Sequence, residues 1–369
     1  MGPISFARGA PAPECLAVDL LADCAKGAIE RDGTTVLSYG TGLGYAPLRE
    51  WLGERYSIDP NQILLTNGSL QGFVYLAQHF FWSGVGGRVL VEAPSYDRPL
   101  LILRNHGVEV STIEMDDEGL DPEALERELK RGPKPAFLYT IPTFQNPSGR
   151  TLSVERRKRI VELAHEHDLL VLEDDPYGFV RYEGTAPPTM FELEGSIAGQ
   201  VAHTSSFSKT ISPGLRVGYL ILPKPLLKPL ELIASSTTIS PSNLPAATVY
   251  EFTRRGHFEP NLERMNGLLC QRRDAMLKAL EENFGDGASW SRPEGGYFNW
   301  LDLPDGVDAG ELLARATEAG VTYCKGSDFY PDGRGAGSLR LAYSFPSPEE
   351  IERGIAILAE LAGELKNKA

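Results

Sequence analysis

Short apolar runs alternate with amphipathic stretches through the middle of the chain. The runs at 89–91, 136–139, 169–172 and 217–222 contain mainly Val, Leu, Ile and aromatic residues, which is typical of buried strands. Residues 154–167, between two of these runs, fit a helix. Strands that alternate with helices predict a mainly parallel sheet covered by helices on both faces. In such sheets, ligands bind at the carboxyl ends of the strands.

The pattern changes in the last third of the chain. Apolar residues recur at helical spacing from about 257 to 284, which predicts one long helix. Mixed strands and short helices follow, with strands at 297–303 and 339–343. A chain of 369 residues suits two domains. We therefore interpret the long helix as the bridge between a large central domain and a smaller C-terminal domain.

The charge balance argues against polyanionic partners. The formal net charge is −14, and a diffuse negative charge disfavours binding to nucleic acid or to anionic membranes. The sequence has no apolar run of ~18 residues, as a membrane-spanning helix would need. Its first residues lack the basic and apolar regions of a secretory signal. We expect neither nucleic acid nor a membrane as a partner.

The cysteines are few and scattered. Cys15, Cys24, Cys270 and Cys324 form neither a C-x-x-C pair nor a zinc-binding pattern. Such thiols are typical of a reduced, cytoplasmic protein. We expect a cytoplasmic location and no bound metal.

Lys209 ends the segment Ser-Ser-Phe-Ser-Lys at 205–209, and Arg216 follows seven residues later. A lysine flanked by serines is most often a solvated surface residue. However, the hydroxyls of Ser206 and Ser208 and the guanidinium of Arg216 together suit a phosphate group. A lysine beside such a site can form a Schiff base with an aldehyde cofactor once burial and nearby positive charge have lowered its pKa. Lys209 is therefore a candidate attachment point for such a cofactor.

A group of acids follows the apolar run at 169–172, in the order Glu-Asp-Asp-Pro-Tyr at 173–177. Taken singly, these acids fit an ordinary turn that Pro176 favours. Alternatively, Asp174 pairs with a pyridine nitrogen of the cofactor and keeps the ring protonated, so that the ring withdraws electrons. Tyr177 is close enough in sequence to reach a phenolic oxygen of the same ring. Asn146, in the turn Asn-Pro-Ser-Gly at 146–149, can donate to that oxygen too.

The segment Thr-Asn-Gly-Ser-Leu-Gln-Gly at 66–72 leads into a helical pattern. It is an ordinary capped helix start, and a glycine-containing helix N-terminus also offers free amides to a phosphate. Gly68, Ser69 and Leu70 are the expected amide donors. Among the aromatic residues, Tyr96 follows the strand at 89–91 and can stack on a flat ring, although plain packing is the better explanation of this tyrosine taken alone.

Arg340 lies inside an apolar alternating strand, Ser-Leu-Arg-Leu-Ala-Tyr-Ser at 338–344. A buried arginine is unusual unless it is paired. Its partner is either an acid of the protein or the carboxylate of a substrate, which a guanidinium can hold with two parallel hydrogen bonds.

In their order and spacing these motifs resemble those of the fold type I aminotransferases, the aspartate aminotransferase superfamily. Within it the chain looks most like the class I/II branch with the α-aminoadipate and kynurenine aminotransferases, and it is similar to the aminotransferase-like domain of the MocR regulators. The resemblance implies an α/β fold, with a mainly parallel seven-stranded sheet flanked by helices and a smaller α+β C-terminal domain. We expect an N-terminal segment at 1–32 that packs with the small domain and the substrate pocket, a large cofactor-binding domain at 33–262 and a small domain at 263–369.

The resemblance implies pyridoxal 5′-phosphate as the cofactor and assigns residues to it. Lys209 matches the Schiff-base lysine and Asp174 the acid on the pyridine nitrogen, and with Tyr177 they form the expected catalytic set. Asn146 and Tyr177 match the partners of the phenolic oxygen. Tyr96 matches the aromatic residue that stacks on the ring. The residues expected to hold the phosphate are Gly68, Ser69, Leu70, Ser206, Ser208 and Arg216.

The resemblance also assigns substrate contacts and a partner. Arg340 matches the arginine that binds the substrate α-carboxylate, while Gly9 and Asn146 line the substrate pocket. Tyr39 matches a tyrosine that reaches the phosphate of the neighbouring subunit, which implies a homodimer with shared active sites. Two departures stand out: Leu70 occupies a position that is often Gln, and the N-terminus starts close to the pocket segment, so a helix that caps the site in some relatives is expected to be absent.

The implied activity is transfer of the amino group between an L-amino acid and a 2-oxo acid by a ping-pong mechanism. A β-lyase or decarboxylase on the same fold, or a non-catalytic ligand-sensing domain of the MocR type, are the alternatives. The substrate side chain stays open. Arg8 is able to meet a distal carboxylate or to lie on the surface, whereas Phe144, Tyr96 and Tyr343 favour aromatic or large apolar donors.

Overall fold

Helices and strands alternate through most of the computed structural model, which describes residues 2–82, 87–195 and 199–367. The helices are α1 (Val18–Val36), α2 (Ala46–Tyr56), α3 (Ser69–Trp82), α4 (Asp97–Asn105), α5 (Pro122–Arg131), α6 (Val154–Glu166), α7 (Met190–Glu194), α8 (Lys224–Thr238), α9 (Asn243–Arg254), α10 (Phe258–Phe284), α11 (Ala309–Glu318) and α12 (Pro348–Lys366). The strands are β1 (Ile4–Ser5), β2 (Ile63–Thr66), β3 (Val89–Ala93), β4 (Val110–Asp116), β5 (Gly119–Leu120), β6 (Phe137–Thr140), β7 (Val171–Asp174), β8 (Val201–Ser206), β9 (Gly218–Ile221), β10 (Ser289–Trp290), β11 (Phe298–Asp302), β12 (Val321–Thr322), β13 (Cys324–Lys325) and β14 (Ser338–Ala342).

The main sheet confirms the α/β architecture that the alternation predicts. Its strand order over the described residues is β2-β9-β8-β7-β6-β3-β4-β5. The neighbours from β8 through β7, β6 and β3 to β4 are parallel, and β9 runs antiparallel to both β8 and β2. The seven longer strands match the expected seven. The two-residue β5 adds an eighth at the edge by folding back on β4, and it is too short to produce an apolar run in the sequence.

Strands of this sheet are buried on both faces because helices cover each side. Along β6, Leu138 packs with one hydrophobic cluster, which includes residues of α1, α2, α6 and α9. Its neighbours Phe137 and Tyr139 pack with the opposite cluster, which includes residues of α3, α4 and α8. Side chains alternate across a strand, so a doubly covered strand is apolar at every position. This explains the continuous apolar runs in the sequence.

The C-terminal part has a sheet of its own. Antiparallel strands β10, β11, β14 and β13 form it, in that order. The long predicted helix is present as α10. Its residues Met265 and Leu269 pack in the cluster that contains Phe137 and Tyr139 of the main sheet, whereas Met276 and Leu280 pack in the C-terminal core. The N-terminal strand β1 pairs in parallel with β12, which ties the start of the chain to the C-terminal part. No helix in the described ranges is long and apolar enough to cross a membrane.

A buried ionic network fixes the geometry under the main sheet's carboxyl edge. Arg157 of α6 is fully buried and donates to the carbonyls of Leu152 (3.0 Å) and Pro142 (2.9 Å). Its guanidinium also lies 3.8 Å from the carboxylate of Glu173. Burial raises the pKa of Glu173, but a hydrogen bond with His203 and the charge of Arg157 outweigh it and leave the pKa below its ordinary value. The network links α6 to β7 and to the loop after β6.

Replacing Arg157 should therefore destabilise the fold. Arg157→Met would leave Glu173 buried without its nearest guanidinium and the carbonyl of Leu152 without the donor that Arg157 supplies, whereas the carbonyl of Pro142 would keep the backbone N–H of Leu152. Removal of one partner of a buried ion pair costs about 3–5 kcal/mol, and we expect a loss of that size in the free energy of unfolding. Urea unfolding followed by circular dichroism measures it. Lys158→Met, at an exposed position of the same helix, is the matched control, and an equal effect of both changes would contradict this interpretation.

Candidate active site

A cavity of about 460 Å³ opens at the carboxyl edge of the main sheet. Loops after β2, β3, β6, β7 and β8 meet there, because parallel strands end on the same side and β9 starts there. The C-terminal part closes the cavity through Phe298, Phe329 and Arg340. The structure gathers most of the predicted site residues along its wall: Gly9, Ser69, Leu70, Tyr96, Asn146, Asp174, Tyr177, Ser206, Ser208, Lys209, Arg216 and Arg340.

Lys209 follows β8 and is enclosed by backbone and rings. Its Nζ donates to the carbonyl of Gly9 at 2.7 Å and lies 5.2 Å from the ring centre of Tyr297. Burial, together with the positive charges of Arg340 and Arg216, lowers the pKa of Lys209 from 10.5 to about 8. About a tenth of this amine is therefore uncharged at pH 7, and only the uncharged form is a nucleophile or a base.

Asp174 is the last residue of β7, and its two carboxylate oxygens differ. Oδ2 accepts a hydrogen bond from the hydroxyl of Tyr139 at 2.8 Å. Oδ1 is buried and has no hydrogen-bond partner among the described residues. Burial raises the pKa of Asp174 to about 7, although the Tyr139 hydrogen bond opposes the shift. A buried acceptor without a donor is costly, so Oδ1 suits a ligand that brings an N–H group.

One corner of the cavity is rich in donors. Ser206 Oγ lies 2.8 Å from Ser208 Oγ, and Arg216 donates to the carbonyl of Asn67 at 3.1 Å. Gly68 has a φ of +89°, and a Cβ there would lie 2.3 Å from the Arg216 guanidinium. Gly68 is not among the residues of the cavity wall, but its lack of a side chain leaves room for Arg216 beside the start of α3. The hydroxyls, the guanidinium and the first amides of α3 converge as a phosphate site requires.

The same close approach explains a further glycine. Gly218 starts β9, and a Cβ on it would lie 2.6 Å from the backbone nitrogen of Ser69. Only glycine allows β9 to pack this tightly on the loop before α3, so Gly218 supports the corner without being part of the cavity wall.

Arg340 enters the cavity from β14 and is 7% exposed. It donates to Asn146 Oδ1 and to the carbonyl of Ala7, each at 2.8 Å. Its Nε is buried and has no hydrogen-bond partner within the described ranges, and its guanidinium lies over the ring of Phe298 at 4.2 Å. No carboxylate of the described residues forms an ion pair with Arg340, so the interpretation that pairs it with a protein acid finds no support. An unneutralised buried guanidinium suits a carboxylate ligand.

The tyrosines of the wall are held in their phenol form. Burial raises the pKa of Tyr96 to about 12, and it raises the pKa of Tyr177 further. Tyr177 is 3% exposed, and its ring packs edge-on against Phe298. Its hydroxyl is thus a hydrogen-bond donor at any physiological pH. The side-chain oxygen of Asn146 accepts a hydrogen bond from Arg340, so its amide nitrogen points away from Arg340 and stays available as a second donor.

Several residues with proposed or possible contacts lie outside the cavity. Tyr39 is 85% exposed and lines a separate surface depression with Asn243. Tyr343 is buried, and its hydroxyl donates to the carbonyl of Gly295. Phe144 is buried under the guanidinium of Arg181, and the exposed Arg8 stacks on Phe345. Of the aromatic residues considered for substrate preference, Tyr96 is therefore the one that lines the cavity.

Sequence reasoning missed other residues of the site. Tyr139 and Cys324 contact Asp174 and Arg340 directly. Tyr139 had a signal, because a tyrosine in a fully buried strand needs a partner for its hydroxyl. Cys324 had none, because its neighbour Arg340 is brought to it by the pairing of β13 with β14.

This donor set fits pyridoxal 5′-phosphate, group by group. Asp174 Oδ1 lacks the donor that a protonated pyridine nitrogen supplies. Asn146 and Tyr177 offer hydrogen-bond donors for a phenolic oxygen, and the corner around Arg216 suits a phosphate. Lys209 has an amine with a lowered pKa for the aldehyde.

Comparisons with known proteins agree with this geometry. The family model for aminotransferase class I and II matches residues 12–358. Aromatic-amino-acid aminotransferase 1 of Thermococcus litoralis is 36% identical over 377 residues, covering 99% of this chain and 89% of the relative. The crystal structure of the multiple substrate aminotransferase of Thermococcus profundus superposes with a TM-score of 0.93 at 32% identity, covering 100% of this chain and 93% of that one.

A second solved structure carries the cofactor's skeleton. LysN, the α-aminoadipate aminotransferase of Thermus thermophilus, was crystallised with N-(5′-phosphopyridoxyl)-L-leucine. It superposes with a TM-score of 0.91 at 34% identity, covering 100% of this chain and 94% of LysN. With a family model that spans most of its length and a cavity whose donors match the cofactor, this chain belongs to the class I and II aminotransferases.

Proposed function

We propose that this chain is a pyridoxal-phosphate-dependent aminotransferase, which moves the amino group between an L-amino acid and a 2-oxo acid in two half-reactions. The observation that carries the proposal is that Lys209, with a pKa lowered to about 8, shares one cavity with Arg340, a buried cation that no acid of the described residues neutralises. An amine for proton transfer and a guanidinium for a carboxylate are what a reaction at the α-carbon of an amino acid requires.

The cofactor is held, in this proposal, by the residues that its groups match. Lys209 would attach it covalently, Asp174 would accept from its ring nitrogen, and Asn146 and Tyr177 would donate to its phenolic oxygen. Tyr96 would stack on its ring. Gly68, Ser69, Leu70, Ser206, Ser208 and Arg216 would bind its phosphate. When bound, pyridoxal phosphate withdraws electrons from the α-carbon of the amino acid, so that the α-proton can leave.

The chain's own residues supply binding and proton transfer. Arg340 binds the α-carboxylate, and Gly9 and Asn146 border the same space. Lys209, once free as an amine, would take the α-proton and deliver it to the C4′ carbon of the cofactor. Its lowered pKa places this base close to the operating pH, where general base catalysis is most efficient.

For the substrate side chain we propose aromatic and other large apolar groups. Leu70, Tyr96, Ile141, Phe298 and Phe329 give the cavity several apolar surfaces. The relative from Thermococcus litoralis is named an aromatic-amino-acid aminotransferase, and an apolar lining of this kind suits aromatic side chains. Arg8 lies away from the cavity wall, which argues against it as a contact for a distal carboxylate.

We also propose the organisation expected from the sequence. The segment 1–32 would pack with the small domain and the substrate pocket, 33–262 would form the cofactor domain and 263–369 the small domain. The residues of α10 pack in two cores, which agrees with a helix that bridges the two domains, although Met265 and Leu269 still pack with the large one. The four free cysteines agree with a cytoplasmic enzyme of amino-acid metabolism.

A homodimer with shared active sites completes the proposal. Tyr39 is 85% exposed, and the large apolar side chains of Val18, Leu37, Leu232 and Ile239 are also exposed. Exposed apolar side chains of this size are typical of association surfaces. Tyr39 would then reach the phosphate held by the neighbouring subunit.

The function is tested by mixing the holoenzyme with each of the twenty amino acids and with 2-oxoglutarate or pyruvate. We expect the absorbance of the bound cofactor to change most with aromatic donors, and mass spectrometry to detect the matching 2-oxo acid. Lys209→Ala should slow this half-reaction by at least about 10²- to 10⁴-fold, the usual contribution of a general base. It should also carry no covalently attached cofactor after borohydride treatment.

Lys224→Ala, at an exposed position, is the control and should behave like the wild type. Ammonia release without a 2-oxo acid acceptor would instead identify a lyase, and carbon dioxide release a decarboxylase. DNA binding without turnover would support a ligand-sensing domain.

The pKa of Lys209 predicts the pH dependence of cofactor attachment. The uncharged amine is the reactive form, so the rate of cofactor attachment to the apoenzyme should rise with pH around a midpoint near 8. The charge of Arg340 lowers this pKa, so Arg340→Gln should raise the pKa and move the midpoint of the rate profile to higher pH. Stopped-flow absorbance measures the rate. Arg98→Gln, at an exposed arginine of the cavity wall, is the control, and equal midpoints in all three proteins would refute the charge argument.

If the site is shared, Tyr39 should contribute to cofactor binding in the neighbouring subunit, although it lies outside the cavity of its own subunit. Tyr39→Phe should weaken cofactor binding about tenfold, the usual effect of losing a hydrogen bond to a charged group, without changing the oligomer. Equilibrium dialysis gives the dissociation constant, and light scattering should give twice 40.4 kDa. Tyr330→Phe is the control, since Tyr330 packs under Arg334. A monomer of full activity would rule out the shared site.

A further inference from the structure

Arg340 is held by three acceptors that carry no charge. The amide oxygen of Asn146 and the backbone carbonyl of Ala7 each accept from it at 2.8 Å. The third is Cys324, whose Sγ lies 3.3 Å from the same terminal nitrogen that contacts Ala7. Cys324 faces Arg340 across the antiparallel pair β13 and β14, in direct register. It also lines the cavity.

The thiol of Cys324 is shared between two partners. Its Sγ lies 3.6 Å from the carbonyl of Ala7, to which the S–H group donates while the sulfur accepts from Arg340. Burial raises the pKa of Cys324, although the charge of Arg340 opposes this, so the thiol stays protonated and neutral. Ala7, Cys324 and Arg340 thus form a closed triangle in which Arg340 carries the charge.

A neutral holder has a consequence for binding. A carboxylate at this position would pair with Arg340 and compete with the carboxylate of the substrate. A side chain without a polar atom would leave the guanidinium with one contact fewer and the Ala7 carbonyl with one donor fewer. A thiol avoids both effects. Its sulfur accepts a weak hydrogen bond from Arg340, its S–H group donates to Ala7, and it brings no charge that would compete with the substrate.

We propose that Cys324 is a positioning residue, whose neutral thiol holds Arg340 in place for the substrate α-carboxylate and leaves the arginine's charge free for it. The proposal rests on the aminotransferase function proposed above, because it assigns Arg340 to the substrate. It goes beyond that function in naming a residue that tunes substrate affinity through Arg340 without touching the cofactor.

The test compares three variants by steady-state kinetics with the best amino donor. Cys324→Ser keeps a neutral donor and acceptor, and should retain the wild-type KM within about twofold. Cys324→Ala loses one weak contact, and should raise KM about 2- to 10-fold, the range for a single neutral hydrogen bond. Cys324→Asp introduces a competing carboxylate, and should raise KM about 10- to 100-fold, the range for a hydrogen bond to a charged group. In all three, kcat should change much less than KM.

Two further measurements separate positioning from a general structural defect. The cofactor dissociation constant and the melting temperature should stay at wild-type values in Cys324→Ser and Cys324→Ala. Cys270→Ala is the matched control, because Cys270 lies on α10 beside Asp274, is partly buried like Cys324 and is absent from the cavity wall.

Each result decides one question. A wild-type KM in Cys324→Asp that binds cofactor normally would overturn the positioning role. Equal increases of KM in the Ser, Ala and Asp variants would overturn it too, because they would reflect packing instead of charge and hydrogen bonding. A wild-type protein without transaminase activity would refute the proposed function instead, and that outcome is visible before any variant is made.

Discussion

Mutual repulsion between buried cations is the constraint on which this site depends. Lys209 and Arg340 share one cavity, and the charge of Arg340 contributes to the lowered pKa of Lys209. A carboxylate of the protein beside either of them would relieve the repulsion. However, it would raise the pKa of Lys209 and keep the amine charged, or it would form an ion pair with Arg340 and compete with a ligand. The chain uses carbonyls, an amide and a thiol instead, so both groups remain reactive toward ligands.

The negative side of the site is organised differently. Asp174 receives one hydrogen bond from Tyr139 and keeps one buried oxygen without a partner among the described residues. In a protein interior such a charged oxygen is costly unless the carboxyl is protonated or a ligand brings the missing donor. Glu92 lies nearby on β3, and burial raises its pKa to about 7, although Thr140 and Gln145 hydrogen-bond to it. The sheet edge thus contains acids with raised pKa values and a lysine with a lowered one, a combination typical of functional sites.

Much of the fold was predictable, because the buried parallel strands produce apolar runs in the sequence. Asp174 comes just after such a run, and parallel strands carry residues in this position to one edge. Lys209 follows β8, whose sequence Val-Ala-His-Thr-Ser-Ser at 201–206 is too polar to form such a run, so it was the serine-rich motif beside Arg216 that predicted its role. The contacts around Arg340 could not be predicted in this way. They involve Asn146 and Ala7, residues that are 194 and 333 positions distant in the chain, and depend on how the C-terminal sheet packs over the main one. Tyr39 remains a prediction, since its proposed partner belongs to another subunit.

The N-terminal segment has a consequence of its own. Its backbone carbonyls at Ala7 and Gly9 hold Arg340 and Lys209, while β1 is tied to the C-terminal part through β12. The amine and the guanidinium thus share one backbone anchor, in which the two carbonyls are only two residues apart. A strand of two residues and a short loop therefore set the surroundings of both cations at once, so that a change in the sequence of this segment would alter both groups together.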